Sequence, residues 1–248
     1  MSIINSILKA FATPEAKRAT AIIVAAGSGN RMGTSIPKQL IELDGMPVVV
    51  HSLLAFERCE KIKDIIVVAR EEDFPLYNEI KKKYSLTKLR DVVKGGKTRQ
   101  KSVLCGFNKI DKRCDFVCIH DAARCLVTPK NITDVLNEAE KYGAASAACK
   151  SKDTVKITDE NGFVKETPDR ENCWNAQTPQ TFKADLYRAA AYYAKEKDFC
   201  ATDDNSLIEF IGAKVRMVDC GYENIKITTP EDLFTAERIL KNRRLTNG

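Results

Sequence analysis

The residues best suited to chemistry lie early in the chain, in Ala25-Ala26-Gly27-Ser28-Gly29-Asn30-Arg31-Met32-Gly33 followed by Pro37-Lys38-Gln39. Glycines just after a first strand let backbone N–H groups approach phosphate oxygens without interference from a Cβ. Two motifs with that property do not fit. The dinucleotide fingerprint G-x-G-x-x-G fails because the third glycine falls one residue late. The P-loop fails at Gly96-Lys97-Thr98, because Asp91 stands where its first glycine should be. What remains is a glycine loop with two permanent cations, Arg31 and Lys38. That combination suits a nucleoside triphosphate attacked at its α-phosphorus, where cations and a metal must offset the repulsion between two anions. A tight turn carrying two surface cations is the alternative that the loop alone leaves open.

Other reactive residue types are less informative. His51 falls on an apolar helical stretch and His120 at the end of a strand, and both read as structural. The nine cysteines are irregularly spaced, with no second pair to match Cys114 and Cys118, so a zinc site is not indicated. Cys105, Cys118 and Cys149 sit in apolar runs and read as small buried hydrophobes. Reduced thiols and a cytoplasmic location are expected.

The elements that must position these residues alternate. Ala21–Ala26, Asp64–Ala69 and Phe116–Ile119 read as buried strands, and Val48–Glu57, Phe74–Tyr84 and Arg99–Ile110 carry helical spacing. Such alternation implies an α/β fold, with a mostly parallel sheet covered on both faces. Near residue 150 the pattern breaks. Thr154–Ile157 and Phe163–Glu166 flank Asp159-Glu160-Asn161-Gly162, a hairpin signal, and alternate apolar with polar as a projecting arm would. Helix, strand and helix then return at Ala184–Ala194, Lys214–Val218 and Pro230–Leu240, the last with Pro at its first turn.

The 248 residues, 44% hydrophobic and 30% charged, suit one large domain over residues 20–242, with an arm over 150–178. The net charge of +6 is modest and is not gathered into the runs or stripes typical of nucleic-acid binding. No stretch reads as a membrane span. Residues 1–19 could place Ile3, Ile4, Ile7, Leu8 and Phe11 on one helix face, which reads as a packing or dimer-surface extension rather than a targeting element.

Four further segments add specificity. They are Gly95-Gly96-Lys97-Thr98-Arg99-Gln100-Lys101-Ser102-Val103, His120-Asp121-Ala122-Ala123-Arg124, Trp174-Asn175-Ala176-Gln177-Thr178-Pro179-Gln180 and Asn224-Ile225-Lys226-Ile227-Thr228-Thr229-Pro230-Glu231-Asp232. With the glycine loop, and in this order, they closely resemble the 2-C-methyl-D-erythritol 4-phosphate cytidylyltransferases of the non-mevalonate isoprenoid pathway. The resemblance runs from about residue 20 to 240.

The resemblance implies a Rossmann-like three-layer domain with a mixed sheet, a homodimer clasped by the hairpin arm, and magnesium-dependent transfer of a cytidylyl group. It implies catalytic roles for Arg31, Lys38 and Lys226. CTP contacts map to Ala25, Ala26, Gly27, Gly29, Gly95, Gly96, Arg99, Ser102, Asp121 and Ala122, with Asp121 in the ribose or metal region. The methylerythritol phosphate site would take Thr154, Arg170, Thr178, Thr202 and Arg124, with Thr154 and Arg170 reaching the partner subunit. One departure is Cys125, where such enzymes usually continue Asp-Ala-Ala-Arg with Pro; Cys allows the backbone more freedom. A ribitol 5-phosphate cytidylyltransferase shares the fold and several motifs. A nucleotide-binding regulatory protein could dispense with Lys38 or Lys226, yet both are present.

Overall fold

The computed structural model of the chain describes residues 17–27 and 37–247. Residues 1–16 and the loop that holds Gly29 and Arg31 lie outside the described residues. In chain order the elements are β1 (Ala19–Val24), β2 (Glu42–Leu43), β3 (Met46–Pro47), α1 (Val48–Arg58), β4 (Ile62–Ala69), α2 (Phe74–Lys83), β5 (Leu89–Lys94), α3 (Arg99–Phe107), β6 (Phe116–Asp121) and α4 (Pro129–Tyr142). There follow β7 (Ala144–Lys150), β8 (Ile157–Thr158), β9 (Val164–Glu166), β10 (Trp174–Lys183), α5 (Ala184–Glu196), α6 (Asp204–Phe210), β11 (Arg216–Asp219) and α7 (Pro230–Asn247).

Seven strands form one sheet in the order β11-β7-β10-β6-β1-β4-β5. β1 pairs in parallel with both β4 and β6, β4 with β5, and β11 with β7. β10 is antiparallel to both of its neighbours and so runs against the other six strands. The sheet is therefore the mostly parallel, mixed α/β arrangement that the alternating pattern implies.

Period-two alternation sends side chains of each strand to opposite faces. Ala21, Ile23, Ile65, Val67, Phe116 and Cys118 pack on one side beneath α1, α2 and α4. Ile22, Val68, Val117 and Ile119 pack on the other against Val103 and Phe107 of α3 and against Tyr187, Ala190 and Leu207 of α5 and α6. Both faces are buried, which is why these strands read as continuous apolar runs. Local signals set the helix ends. Thr128 caps α4 in a capping box with Asn131, and Gly143 closes it in the left-handed region at φ +86°.

The hairpin is shorter than expected and also bounded differently. Its strands are β8 and β9, paired as a separate two-stranded ribbon, and Thr154–Lys156 are not part of it. Trp174–Thr178, placed in the arm from sequence, belong instead to β10 and so to the main sheet. Trp174, Asn175 and Ala176 pair with Lys150, Cys149 and Ala148, which brings the chain back to where β7 left it.

Candidate active site

The carboxyl ends of β1, β4, β5 and β6 lie side by side, the position where open α/β sheets place ligands. A cleft of about 380 Å³ opens there, lined by Ala25, Ala26, Gly27, Lys38, Gly96, Arg99, Ser102, Asp121, Ala122 and Lys226 among others. Residues from four of the five motifs thus meet across about 200 positions of sequence.

Each wall has a local cause. Ala25 leaves β1 with its N–H donated to Val68 O at 2.7 Å, and its carbonyl accepts from the buried Gln39 amide at 2.5 Å. Gln39 also donates to Gly27 O, so the residue after Lys38 pins the start of the glycine loop. Lys38 begins a short 3₁₀ turn, and its Nζ donates to Ile227 O at 2.9 Å. The lysine of the first loop is thereby fastened to the segment that carries Lys226.

On the opposite wall, Gly95 N–H donates to Ala69 O and Gly96 N–H to Ser102 Oγ. Ser102 donates in turn to Thr98 O at 2.9 Å. The Ser102 hydroxyl therefore orders the Gly95-Gly96 turn. A Cβ at Gly95 would overlap that of Ala26, which is the physical reason for glycine there.

Asp121, the last residue of β6, is the electrostatic centre. Its Oδ1 accepts from Arg99 Nε at 3.0 Å and its Oδ2 from Lys226 Nζ at 2.6 Å. Burial opposes its ionisation, but the charges of Arg99 and Lys226 outweigh burial and hold the carboxyl well below its usual range. Arg99 also donates from Nη1 to Asp204 Oδ2 at 2.6 Å.

Next to Asp121, Ala122 N–H donates to Val24 O, and Arg124 N–H closes a turn onto Asp121 O. The turn survives without the proline often found in the family pattern, because Cys125 is buried with Leu43, Val48, Leu126, Ile227 and Ala236. The Arg124 guanidinium donates to Asn224 O at 2.8 Å, while its buried Nε has no partner. Among the described residues it makes no salt bridge.

The acceptor-side residues inferred from sequence do not all converge. Thr178 is 4% exposed and lies behind Asp121 rather than in the cleft. Its Oγ1 accepts from Asp121 N–H at 3.1 Å and faces His120 Nδ1 at 3.0 Å. His120 Nε2 lies 3.2 Å from Arg124 O, so the neutral tautomer donates there and Nδ1 accepts from Thr178. Burial pushes the His120 imidazole down to about 3, which keeps it neutral and structural, as is His51, whose Nε2 meets Leu43 O at 2.8 Å. Thr202 is exposed and faces Ser206 Oγ. Thr154 and Arg170 are exposed on either side of the ribbon and are not among the residues that line the cleft. Sequence reasoning missed Gln39, Gln180 and Asn224, polar residues buried at the site's margins. Their amides join segments distant in sequence, a property that no local pattern records.

These features define the class: a nucleotide-binding α/β transferase fold with a cationic cleft at the carboxyl edge of its sheet. Comparison with known proteins narrows it. Residues 19–242 match the model of the family described as 2-C-methyl-D-erythritol 4-phosphate cytidylyltransferase. A protein of that description from Caldanaerobacter subterraneus subsp. tengcongensis is 44% identical over 90% of this chain and 98% of its own length. One from Alkaliphilus oremlandii is 44% identical over 92% and 97%. Among solved structures, 4-diphosphocytidyl-2C-methyl-D-erythritol synthase from Anaerococcus prevotii superposes with a TM-score of 0.82 at 35% identity, covering 92% of this chain and all of that one. The Thermus thermophilus cytidylyltransferase gives 0.72 at 28% identity, covering 90% and 98%. The chain belongs to the 2-C-methyl-D-erythritol 4-phosphate cytidylyltransferase family.

Proposed function

We propose that this enzyme joins CTP and 2-C-methyl-D-erythritol 4-phosphate, giving 4-diphosphocytidyl-2-C-methyl-D-erythritol and pyrophosphate. The observation that carries the reading is the meeting of Lys38 and Lys226, 188 positions apart, beside the Asp121 carboxylate. A phosphate oxygen of the acceptor attacks the α-phosphorus of CTP, and the bond to the β-phosphate oxygen breaks. The acceptor is already an anion near neutral pH, so no general base is needed. Lys38 and Lys226 offset the charge gathered on the α-phosphate and bridging oxygen, and Arg31 of the glycine loop joins them. The Ala26 backbone and the Gly95-Gly96 turn bound the base. Ala25 supports that wall, since its N–H is already donated to Val68 O. Arg124, a largely desolvated cation with no carboxylate bound to it, takes the acceptor phosphate.

Among the described residues, no group of three His, Cys, Asp or Glu could hold a metal. Magnesium is compatible with this donor set, because that ion is commonly held by one or two carboxylates with substrate phosphates and water completing its shell. Asp121, the carboxylate that lines the cleft, would hold it, and the ion would neutralise triphosphate charge and favour pyrophosphate as leaving group.

The exposed Ile157, Phe163 and Val164 of the ribbon, with Phe163 72% exposed, are the apolar surface for a homodimer. Thr154 and Arg170 at its base would then face the partner's cleft. No helix among the described residues is long and apolar enough to cross a membrane. The nine unpaired thiols suit a reducing cytoplasm.

The test follows pyrophosphate release from CTP and magnesium, with methylerythritol 4-phosphate and ribitol 5-phosphate offered in parallel. Preference for the first acceptor is expected. Preference for ribitol 5-phosphate would keep the CTP chemistry and overturn the pathway. CTP binding without turnover of either would move the protein to a non-catalytic role.

A further inference from the structure

Asp204 has no part in the chemistry above, yet it is among the least accessible charged groups of the described residues, at 1% exposure. A carboxylate buried beside a cleft that receives a triphosphate adds negative charge where the ligand is already anionic. Burial pushes its carboxyl up, so its presence needs a compensating purpose.

Its contacts supply one. Asp204 Oδ2 accepts from Arg99 Nη1 at 2.6 Å, and Oδ1 accepts from the Tyr187 hydroxyl at 2.9 Å. The Tyr187 ring is itself fixed in the core between Phe107 and Phe182, at 4.9 and 5.6 Å between centroids. Asp204 N–H donates to Gln180 Oε1 at 2.9 Å, and Gln180 Nε2 donates to Asp203 Oδ2 at 2.8 Å. Besides Arg99, the carboxylate is therefore held by the Tyr187 hydroxyl, and the backbone that carries it is held by Gln180.

The consequence lies in how an arginine addresses a carboxylate. Left alone beside Asp121, a guanidinium favours a two-pronged pair that occupies both carboxylate oxygens. Here Asp204 takes Nη1, on the opposite edge of the guanidinium from Nε, and so fixes the plane in which Asp121 receives Nε alone. Oδ2 of Asp121 stays available to Lys226, and Nη2 of Arg99 has no protein partner among the described residues while Arg99 lines the cleft. Positive and negative groups then alternate along Lys226, Asp121, Arg99 and Asp204.

We propose that Asp204 is a positioning residue: anchored by Tyr187 and Gln180, it orients Arg99 so that Asp121 can hold Lys226 and Arg99 can present its remaining N–H groups to the nucleotide. The proposal rests on Arg99 facing bound CTP, and its test separates the two ideas. A double-mutant cycle in the full-length protein compares wild type, Asp204→Asn, Arg99→Ala and the double variant, reading kcat and KM for CTP by pyrophosphate release. Circular dichroism and thermal melting check that each variant is folded.

Asp204→Asn is expected to lower kcat/KM for CTP at least tenfold in the wild-type background. In the Arg99→Ala background the same change should alter it less than about twofold, because the group it orients is gone. A purely structural role would give the same fold-loss in both backgrounds and would overturn the proposal. So would wild-type kinetics in folded Asp204→Asn. Wild-type kinetics in Arg99→Ala would instead overturn the nucleotide-facing reading of Arg99. Should Asp204→Asn not fold, Tyr187→Phe keeps the core ring and deletes one bond to Asp204. It should lower kcat/KM about threefold, the effect of roughly one weak hydrogen bond, and do so only when Arg99 is present. No loss there would also overturn the proposal.

Discussion

Replacing Gly95 by alanine places a methyl group in overlap with the Cβ of Ala26, and 3.1 Å from Ser102 Oγ. Neither obstacle yields easily. The Ala26 Cβ is one bond from the backbone, and Ser102 is committed to the Gly96 amide and the Thr98 carbonyl. Relief therefore requires the Gly95-Gly96 turn to move outward by about 1 Å, the difference between overlap and ordinary contact. Overpacking of this kind costs about 1–3 kcal/mol, offset by about 0.5 kcal/mol from the smaller entropy of the unfolded chain. At roughly 2–4 °C per kcal/mol for a protein of this size, Tm should fall by about 1–10 °C. The functional loss should be larger. A wall of the base pocket displaced by about 1 Å can cost about 10²-fold in kcat/KM.

The assay is pyrophosphate release titrated with CTP, beside thermal melting of the same preparation. Gly106→Ala is the control. Its Cβ would lie 2.7 Å from Ile22 Cγ2 and 2.8 Å from Val68 Cγ2, inside the core and behind the cleft. It should lose stability without a matching rise in KM for CTP. Wild-type kcat/KM for CTP in Gly95→Ala, or equal kinetic losses in the two variants, would refute the idea that this turn is a wall of the nucleotide site.

Three further outcomes are expected. Lys38→Ala should lower kcat by about 10²-fold or more, as preorganised charge is usually a large catalytic contribution, and near-normal turnover would remove Lys38 from the mechanism. Arg124→Met should raise KM for the acceptor phosphate about tenfold or more while CTP binding changes little; because it replaces a poorly compensated buried cation, Tm should stay within about 3 °C, and a selective loss of CTP affinity would place Arg124 elsewhere. Stability should fall with acidification through His120, whose imidazole goes from about 6.5 in the unfolded chain to about 3 in the fold. The neutral form is required, so this contribution is complete above pH 6.5 and is lost as pH falls toward 3. Urea titrations at pH 7 and pH 5 should differ by about 2 kcal/mol through this group, and a His120→Gln variant should lack that part of the slope.

Much of this could be read in the sequence, and the exceptions have physical causes. β1, β4 and β6 are buried on both faces and are visible as unbroken apolar runs. β7 is Ala-Ala-Ser-Ala-Ala-Cys-Lys, small residues with no β preference, and only its neighbours make it a strand. β10 contains Pro179 and many polar residues, features that argue against a central strand. It tolerates them because Gln177, Thr178, Gln180 and Thr181 are themselves buried and all find hydrogen-bond partners. In the cleft, the glycines and cations were evident from type and order. The motif places Thr178 with the acceptor site and not as a support behind Asp121, since a motif records nearness and not the direction a hydroxyl faces. Asp204 had no local signal beyond its place after Asp203.

The reversed direction of β10 has a mechanical corollary. The chain that leaves β7, traverses the ribbon and returns does so directly as the strand bearing Thr178, whose hydroxyl meets the amide of Asp121. A pull on the ribbon is thus transmitted along β10 and arrives, within a few residues of Trp174, at the backbone of the central carboxylate. A molecule gripped by its ribbon would feel that grip as tension on the strand beside its own reaction centre.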